Sequence, residues 1–140
     1  MYEKQLEAME RLFGVMDRLR VECPWDREQT FESLRNNTIE ETFELTDAIT
    51  DGDMDGIREE LGDLLLHIVF YSRMGAEQGR FDIGDVANAL CDKLIYRHPH
   101  VYGNVEADSA GQVIHNWEEL KLAEKRKKDR KARKGVLYNR

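Results

Sequence analysis

Apolar residues recur at three- and four-residue steps through most of the chain. Leu6, Met9, Phe13, Met16 and Leu19 form one such stripe and predict a first helix with a core-facing side. It should end near Arg20, because Cys23-Pro24-Trp25-Asp26 interrupts the pattern and proline restricts the residue before it; a loop is expected there. Asn36-Asn37-Thr38 reads as a start signal. Thr38 and Glu41 have capping-box spacing, and Ile39, Phe43 and Ile49 carry a second helix to about Thr50. After a turn at Asp51-Gly52-Asp53, Asp53 can cap a third helix. Its apolar positions are Ile57, Leu61, Leu64, Leu65 and Ile68, and it runs to about Met74, ahead of Gly75 and Gly79. Two helices joined by so short a link should pack antiparallel. Asp82-Ile83-Gly84-Asp85 opens a fourth helix through Val86, Leu90 and Leu94, which stops before an extended His98-Pro99-His100-Val101. Ser109 and Gln112 form a second capping box, so a fifth helix runs through Val113, Trp117 and Leu120 into a basic tail, where the apolar stripe ends beyond Lys125. Alternation of the β type, internal repeats, GxGxxG and phosphate-loop signatures are absent from the sequence. The expected fold is all-α, a helical bundle of about five helices.

Composition narrows the class. With 140 residues, 41% apolar and 35% charged, the chain suffices for one core and is too hydrophobic for a disordered segment. The longest apolar run, Leu64 to Tyr71, contains His67 and falls far short of the roughly 18 residues that span a bilayer. The acidic N-terminal stretch lacks an apolar h-region, so a cytoplasmic location without a membrane is expected. Cys23 and Cys91 stand alone, which predicts free thiols rather than a zinc site or a disulfide. The net charge of −7 conceals an asymmetry: residues 1–116 hold 24 acidic and 11 basic side chains, residues 117–140 hold 4 and 10. So acidic a body argues against nucleic acid as a partner and suits divalent cations.

The carboxylates are patterned. Glu40-Glu41-Thr42-Phe43-Glu44 lies in the second helix and Glu59-Glu60-Leu61-Gly62-Asp63 in the third. Positions three apart share a helical face, so Glu41 pairs with Glu44, and Glu60 with Asp63. A single ExxE is ordinary on a solvated helix, and acidic residues in a first turn also suit the helix dipole. Two such pairs on antiparallel neighbours can converge instead, and they would repel and raise one another's pKa unless a cation neutralises them. Oxygen-only ligands select a hard ion, Mg²⁺ or Mn²⁺. A ferritin-like di-iron site needs Glu-x-x-His in each of two helices, and none of the four histidines has that spacing.

Glu40-Glu41-x-x-Glu44 and Glu60-x-x-Asp63, with Cys23-Pro24-Trp25-Asp26-x-x-Gln29-Thr30 before them and Asp92-Lys93-x-x-x-Arg97-His98-Pro99-His100-Val101 after, resemble the MazG nucleoside triphosphate pyrophosphohydrolases. The likeness runs from about residue 5 to Glu124, the expected domain; residues 125–140 form the basic tail. The resemblance implies a dimerising all-α protomer, Mg²⁺ dependence, and hydrolysis of NTPs or dNTPs between the α and β phosphates to NMP and pyrophosphate. It further implies Glu41, Glu44, Glu60 and Asp63 as metal ligands, Glu40 as an outer group or base, Lys93 and Arg97 on the phosphates, and Trp117 as a base-stacking candidate ahead of Trp25. Many members carry two such domains in tandem, whereas this sequence carries one. The competing expectation is therefore a non-catalytic dimeric module that binds a nucleotide or a protein, as an inactive half of a tandem protein would.

The remaining features have plainer readings. His67, one turn after Asp63, sits amid Leu64, Leu66 and Ile68 and reads as a packed or hydrogen-bonded histidine before a ligand. His98 and His100 either shape the site or order their loop. The run Lys125 to Lys134 reads as a solvated helix end. Apolar content on two sides of the third helix, Leu64-Leu65-Leu66 and Ile68-Val69-Phe70, predicts a homodimer or higher homo-oligomer.

Overall fold

A computed structural model describes the backbone of residues 1–138 and the side chains of residues 1–131. Among the described residues there are seven helices and no strand: α1 (Glu3–Glu22), α2 (Pro24–Glu28), α3 (Phe31–Thr50), α4 (Met54–Glu77), α5 (Ile83–Arg97), α6 (Pro99–Tyr102) and α7 (Ala110–Tyr138). The chain divides into two compact units, Met1–Val86 and a second beginning at Ala87. The all-α expectation holds, with two short helices added to the five long ones.

Both additions fall where irregular backbone was expected. Proline needs no amide partner at a helix's first position, and Pro24 and Pro99 each occupy one. Cys23-Pro24-Trp25-Asp26 thus enters α2 instead of a loop, and His98-Pro99-His100-Val101 turns into α6 instead of running extended. The second long helix also starts earlier than its asparagines suggested. Thr30 caps α3 reciprocally with Ser33: the Ser33 amide donates to Thr30 Oγ1 at 3.1 Å and the Thr30 amide to Ser33 Oγ at 2.8 Å. Eight residues before the expected cap, this box frees Thr38 to turn its hydroxyl inward.

Other caps follow the sequence. Asp53 accepts from the Gly56 amide at 3.1 Å, and Asp82 and Asp85 exchange amide-to-carboxylate bonds of 2.8 and 2.9 Å at the start of α5. Ser109 caps α7 through the Gln112 amide at 3.2 Å, but Gln112 reaches back to the Asp108 amide, at 3.4 Å, rather than to Ser109. α4 ends in a Schellman motif: Gly79 takes φ +66°, and the Arg80 amide donates 3.0 Å to the Gly75 carbonyl. That turn folds Phe81 over Gly75 so closely that an added Cβ would lie 2.6 Å from the ring. Gly75→Ala is expected to displace Phe81 and cost about 1–2 kcal/mol, read as a lower thermal midpoint.

In the first unit, Met16, Leu34, Val69, Phe70 and Met74 form the core, flanked by Leu12, Phe13, Phe31, Leu65 and Tyr71. The core therefore draws on α1, α3 and α4, whose α3 and α4 faces pack most extensively. Much of the predicted stripe lies outside it: Leu6, Phe43, Ile49, Leu61 and Ile68 remain exposed, Phe43 by 65% and Leu61 by 51%. α1 meets only α2 and one stretch of α4 extensively, which covers Met16 and leaves Leu6 in the open. No helix of the described residues is long and apolar enough to cross a membrane. Cys23 and Cys91 are free thiols.

Candidate metal centre

α3 and α4 run antiparallel, since contacts that advance along one retreat along the other. Phe31 stacks on Tyr71 with ring centroids 5.6 Å apart, Thr38 meets His67, and Glu41 meets Asp63. This register brings both carboxylate pairs together. One oxygen from each of Glu41, Glu44, Glu60 and Asp63 lies within 4.8 Å of the others, with Glu44 exposed and the other three half-buried. Glu40 is exposed and does not join the four; one residue from Glu41 is about 100° around the axis.

The electrostatics match four crowded carboxylates. Glu60 is pushed up to about 7, first by desolvation, then by its hydrogen bond with Glu44 and the charges of Glu44, Asp63 and Glu41. Glu41 is raised too, by desolvation and then chiefly by the charges of Glu44 and Asp63. Glu41 Oε2 and Glu60 Oε2 are buried without hydrogen-bond partners. Unpartnered oxygens and mutual repulsion are costs that a bound cation offsets, so this all-oxygen donor set fits a hard divalent ion.

His67 lies just beyond the quartet. Buried to 8% exposure, it places Nδ1 2.6 Å from Thr38 Oγ1. Burial lowers its pKa, against the opposing charge of Asp63. The hydrogen-bonded reading of this histidine is correct. Its partner is the Thr38 hydroxyl, which the Tyr71 hydroxyl also meets; Asp63, His67 and Tyr71 recur at four-residue steps along one face of α4.

The remaining residues singled out from the sequence, Trp25 apart, belong to the second unit. Lys93 is exposed on α5. Arg97 is 13% exposed and forks onto Glu124 of α7 at 2.7 and 3.2 Å, holding the Glu124 carboxyl below its usual range. Trp117 has Arg97 over its ring at 5.6 Å and Lys121 at 4.4 Å. His98 Nδ1 lies 2.6 Å from the Leu94 carbonyl and so orders the end of α5. Trp25, on α2 in the first unit, is 55% exposed and anchors no core.

Known proteins bear on this arrangement. A sequence model of the MazG nucleotide pyrophosphohydrolase domain matches residues 29–102, a span that holds all four carboxylates, Lys93 and Arg97. The nucleoside triphosphate pyrophosphohydrolase of Escherichia coli K12 is 45% identical over 126 residues, covering 88% of this chain and 48% of that protein. A Thermotoga maritima protein named nucleoside triphosphate pyrophosphohydrolase/pyrophosphatase MazG is 47% identical over 121 residues, covering 85% and 46%. The chain thus spans about half the length of these curated relatives. A crystal structure of a mazG-related protein from Thermotoga maritima superposes with a TM-score of 0.67 at 24% identity, over 80% of this chain and 97% of that one, and supports the fold. The helical hairpin, its carboxylate quartet and the domain match together place this chain in the MazG nucleotide pyrophosphohydrolase domain family.

Proposed function

We propose that this chain hydrolyses nucleoside triphosphates between the α and β phosphates, releasing NMP and pyrophosphate, with Mg²⁺ held by Glu41, Glu44, Glu60 and Asp63. The observation that carries the reading is the convergence of those carboxylate oxygens within 4.8 Å in a domain of this family. The names of the curated relatives support the substrate class. A bound divalent cation supplies Lewis acidity, offsetting phosphate charge and making water more acidic. Glu40, exposed beside the quartet, is the group we assign to accept the proton of the attacking water. Lys93 offsets the charge that grows on the departing pyrophosphate, and Arg97 does so to the extent that phosphate competes with Glu124. Mn²⁺ suits the same oxygen donors.

Reaction with GTP or dGTP, followed by chromatographic separation of the products, tests the proposal directly. GMP or dGMP plus pyrophosphate is expected; a nucleoside diphosphate plus orthophosphate overturns it, and no turnover of any nucleotide favours the binding module. Lys93→Ala should lower turnover by on the order of 100-fold, the scale of one good electrostatic donor, with the melting temperature unchanged.

We also infer a homodimer, because Phe43, Leu61 and Ile68 leave an apolar surface on the α3–α4 hairpin that one protomer does not cover. Light scattering should give at least twice the 16.4 kDa chain mass; a concentration-independent monomer counts against it.

A further inference from the structure

The quartet sets a mechanical problem for the hairpin that bears it. Four like charges spread over two helices push α3 and α4 apart at the point where they must stay together. A slip of one residue in either helix would shift a carboxylate by about 1.5 Å along the axis and 100° around it. Mg²⁺ demands near-ideal octahedral geometry at short range and tolerates little such play. On one side the helices are joined by the turn Asp51-Gly52-Asp53, closed by the Asp53 amide on the Ala48 carbonyl at 3.1 Å. On the other side stands a polar contact inside the hairpin. Thr38, three residues before Glu41, meets His67, four residues after Asp63, and both lie about one turn from the quartet.

The hydroxyl of Thr38 has one proton and two lone pairs, and it meets three neighbours. It lies 3.1 Å from the Leu34 carbonyl in its own helix, 2.6 Å from His67 Nδ1, and within hydrogen-bond distance of the Tyr71 hydroxyl. Tyr71 is in turn fixed by its stack on Phe31. A single side chain on α3 thus grips two successive turns of α4.

We infer that Thr38 is a positioning residue for the carboxylate quartet, locking the register of α3 against α4 through His67 and Tyr71. The inference rests on the metal-binding role proposed above. It makes Thr38 act on metal affinity through Glu41 and Asp63 without touching the ion. Groups that support metal ligands from behind typically change affinity on the order of 10- to 100-fold when lost.

The test is a calorimetric titration of the full chain with Mn²⁺ at pH 7.5, accompanied by metal-free melting curves, on wild type, Thr38→Val, Thr38→Ser and Tyr71→Phe. Valine keeps the β-branched shape of threonine and removes the hydroxyl; serine keeps the hydroxyl. Thr38→Val should bind Mn²⁺ about tenfold more weakly or worse, Thr38→Ser within threefold of wild type, and Tyr71→Phe at least threefold more weakly. If Thr38→Val only lowers the metal-free midpoint and binds within threefold of wild type, the contact is merely structural and the inference fails. It fails equally if serine does not rescue. Should Thr38→Val not fold, Tyr71→Phe decides by the same threefold threshold. Wild type that binds no Mn²⁺ would overturn the metal reading itself, and this inference with it, an outcome distinct from normal binding that Thr38→Val leaves intact.

Discussion

Glu41→Gln, Glu44→Gln, Glu60→Gln and Asp63→Asn are each expected to weaken Mg²⁺ or Mn²⁺ binding by at least about tenfold and to lower turnover by more, while the metal-free melting temperature stays level or rises. The split follows from what these groups do in each state. With a cation present, each charged oxygen removed takes away one of the few anionic ligands a hard ion can use. Without one, the same charge only repels its neighbours, and neutralising it relieves the crowding that adds to desolvation in holding Glu60 near 7. The pH dependence follows with a definite sign. Glu60 titrates higher in the folded chain than in the unfolded one, so folding takes up protons between the ordinary glutamate range and about pH 7, and metal-free stability should fall as pH rises through that window. A divalent cation should therefore raise the midpoint more at pH 8 than at pH 6, where protons compete for the same oxygens. Calorimetry and melting curves on the four variants measure both halves. Unchanged metal affinity in all four would remove the centre, and a uniform loss of metal-free stability would recast the quartet as a structural network.

The quartet could be read from the sequence because it needs only two regularities, the helical period and a short link between antiparallel helices. Glu41 with Glu44, and Glu60 with Asp63, obey the first; Asp51-Gly52-Asp53 provides the second. Helix starts were less legible. Thr38 and Glu41 have the spacing of a capping box, but so do Thr30 and Ser33, and the chain uses the latter because it follows directly on α2 and lets Phe31 and Leu34 enter the core. A cap read alone does not reveal which of two candidates the core can accommodate.

Pairings between distant segments were not legible at all. Nothing around Arg97 marks Glu124, 27 positions away, as its partner, and so Arg97 read as a free cation four residues from Lys93. The structure presents the two unequally: Lys93 is open to solvent, whereas a phosphate approaching Arg97 must compete with a bidentate carboxylate. The apolar stripes were found by period, but period does not say what covers them. Phe43 and Leu61 have helical spacing like that of Leu34 and Phe70, yet the first pair is exposed and the second buried.

Arg20 is the clearest case of a residue whose weight only the structure discloses, and replacing it should have the largest effect on stability. Its guanidinium forks onto Glu77 of α4, with Nε and Nη2 at 2.9 and 3.0 Å, while Nη1 reaches the carbonyls of Asp26, Arg27 and Gln29 at 2.7, 3.2 and 2.9 Å. Its face lies 5.6 Å from the centre of the Phe70 ring in the core. α2 has five residues, too few to hold a helix unaided, so these bonds at its C-terminal end stabilise it and fix it to α1 and α4. Arg20→Ala removes the bidentate donor of Glu77, which keeps only Arg73 at 3.5 Å, together with the Nη1 bonds to three carbonyls, and is expected to cost about 3 kcal/mol, roughly 10 °C in the melting midpoint. Arg20→Lys should recover little, because an ammonium cannot serve a carboxylate and a row of carbonyls on opposite edges at once. Arg20 holds the Glu77 carboxyl below its usual range, so its contribution is complete above the ordinary glutamate pKa and is lost as pH falls through the lowered one. The gap in midpoint between wild type and Arg20→Ala should therefore be wide at pH 7 and narrow toward pH 3. A variant that melts within about 2 °C of wild type at pH 7 would show that α2 is held by other contacts.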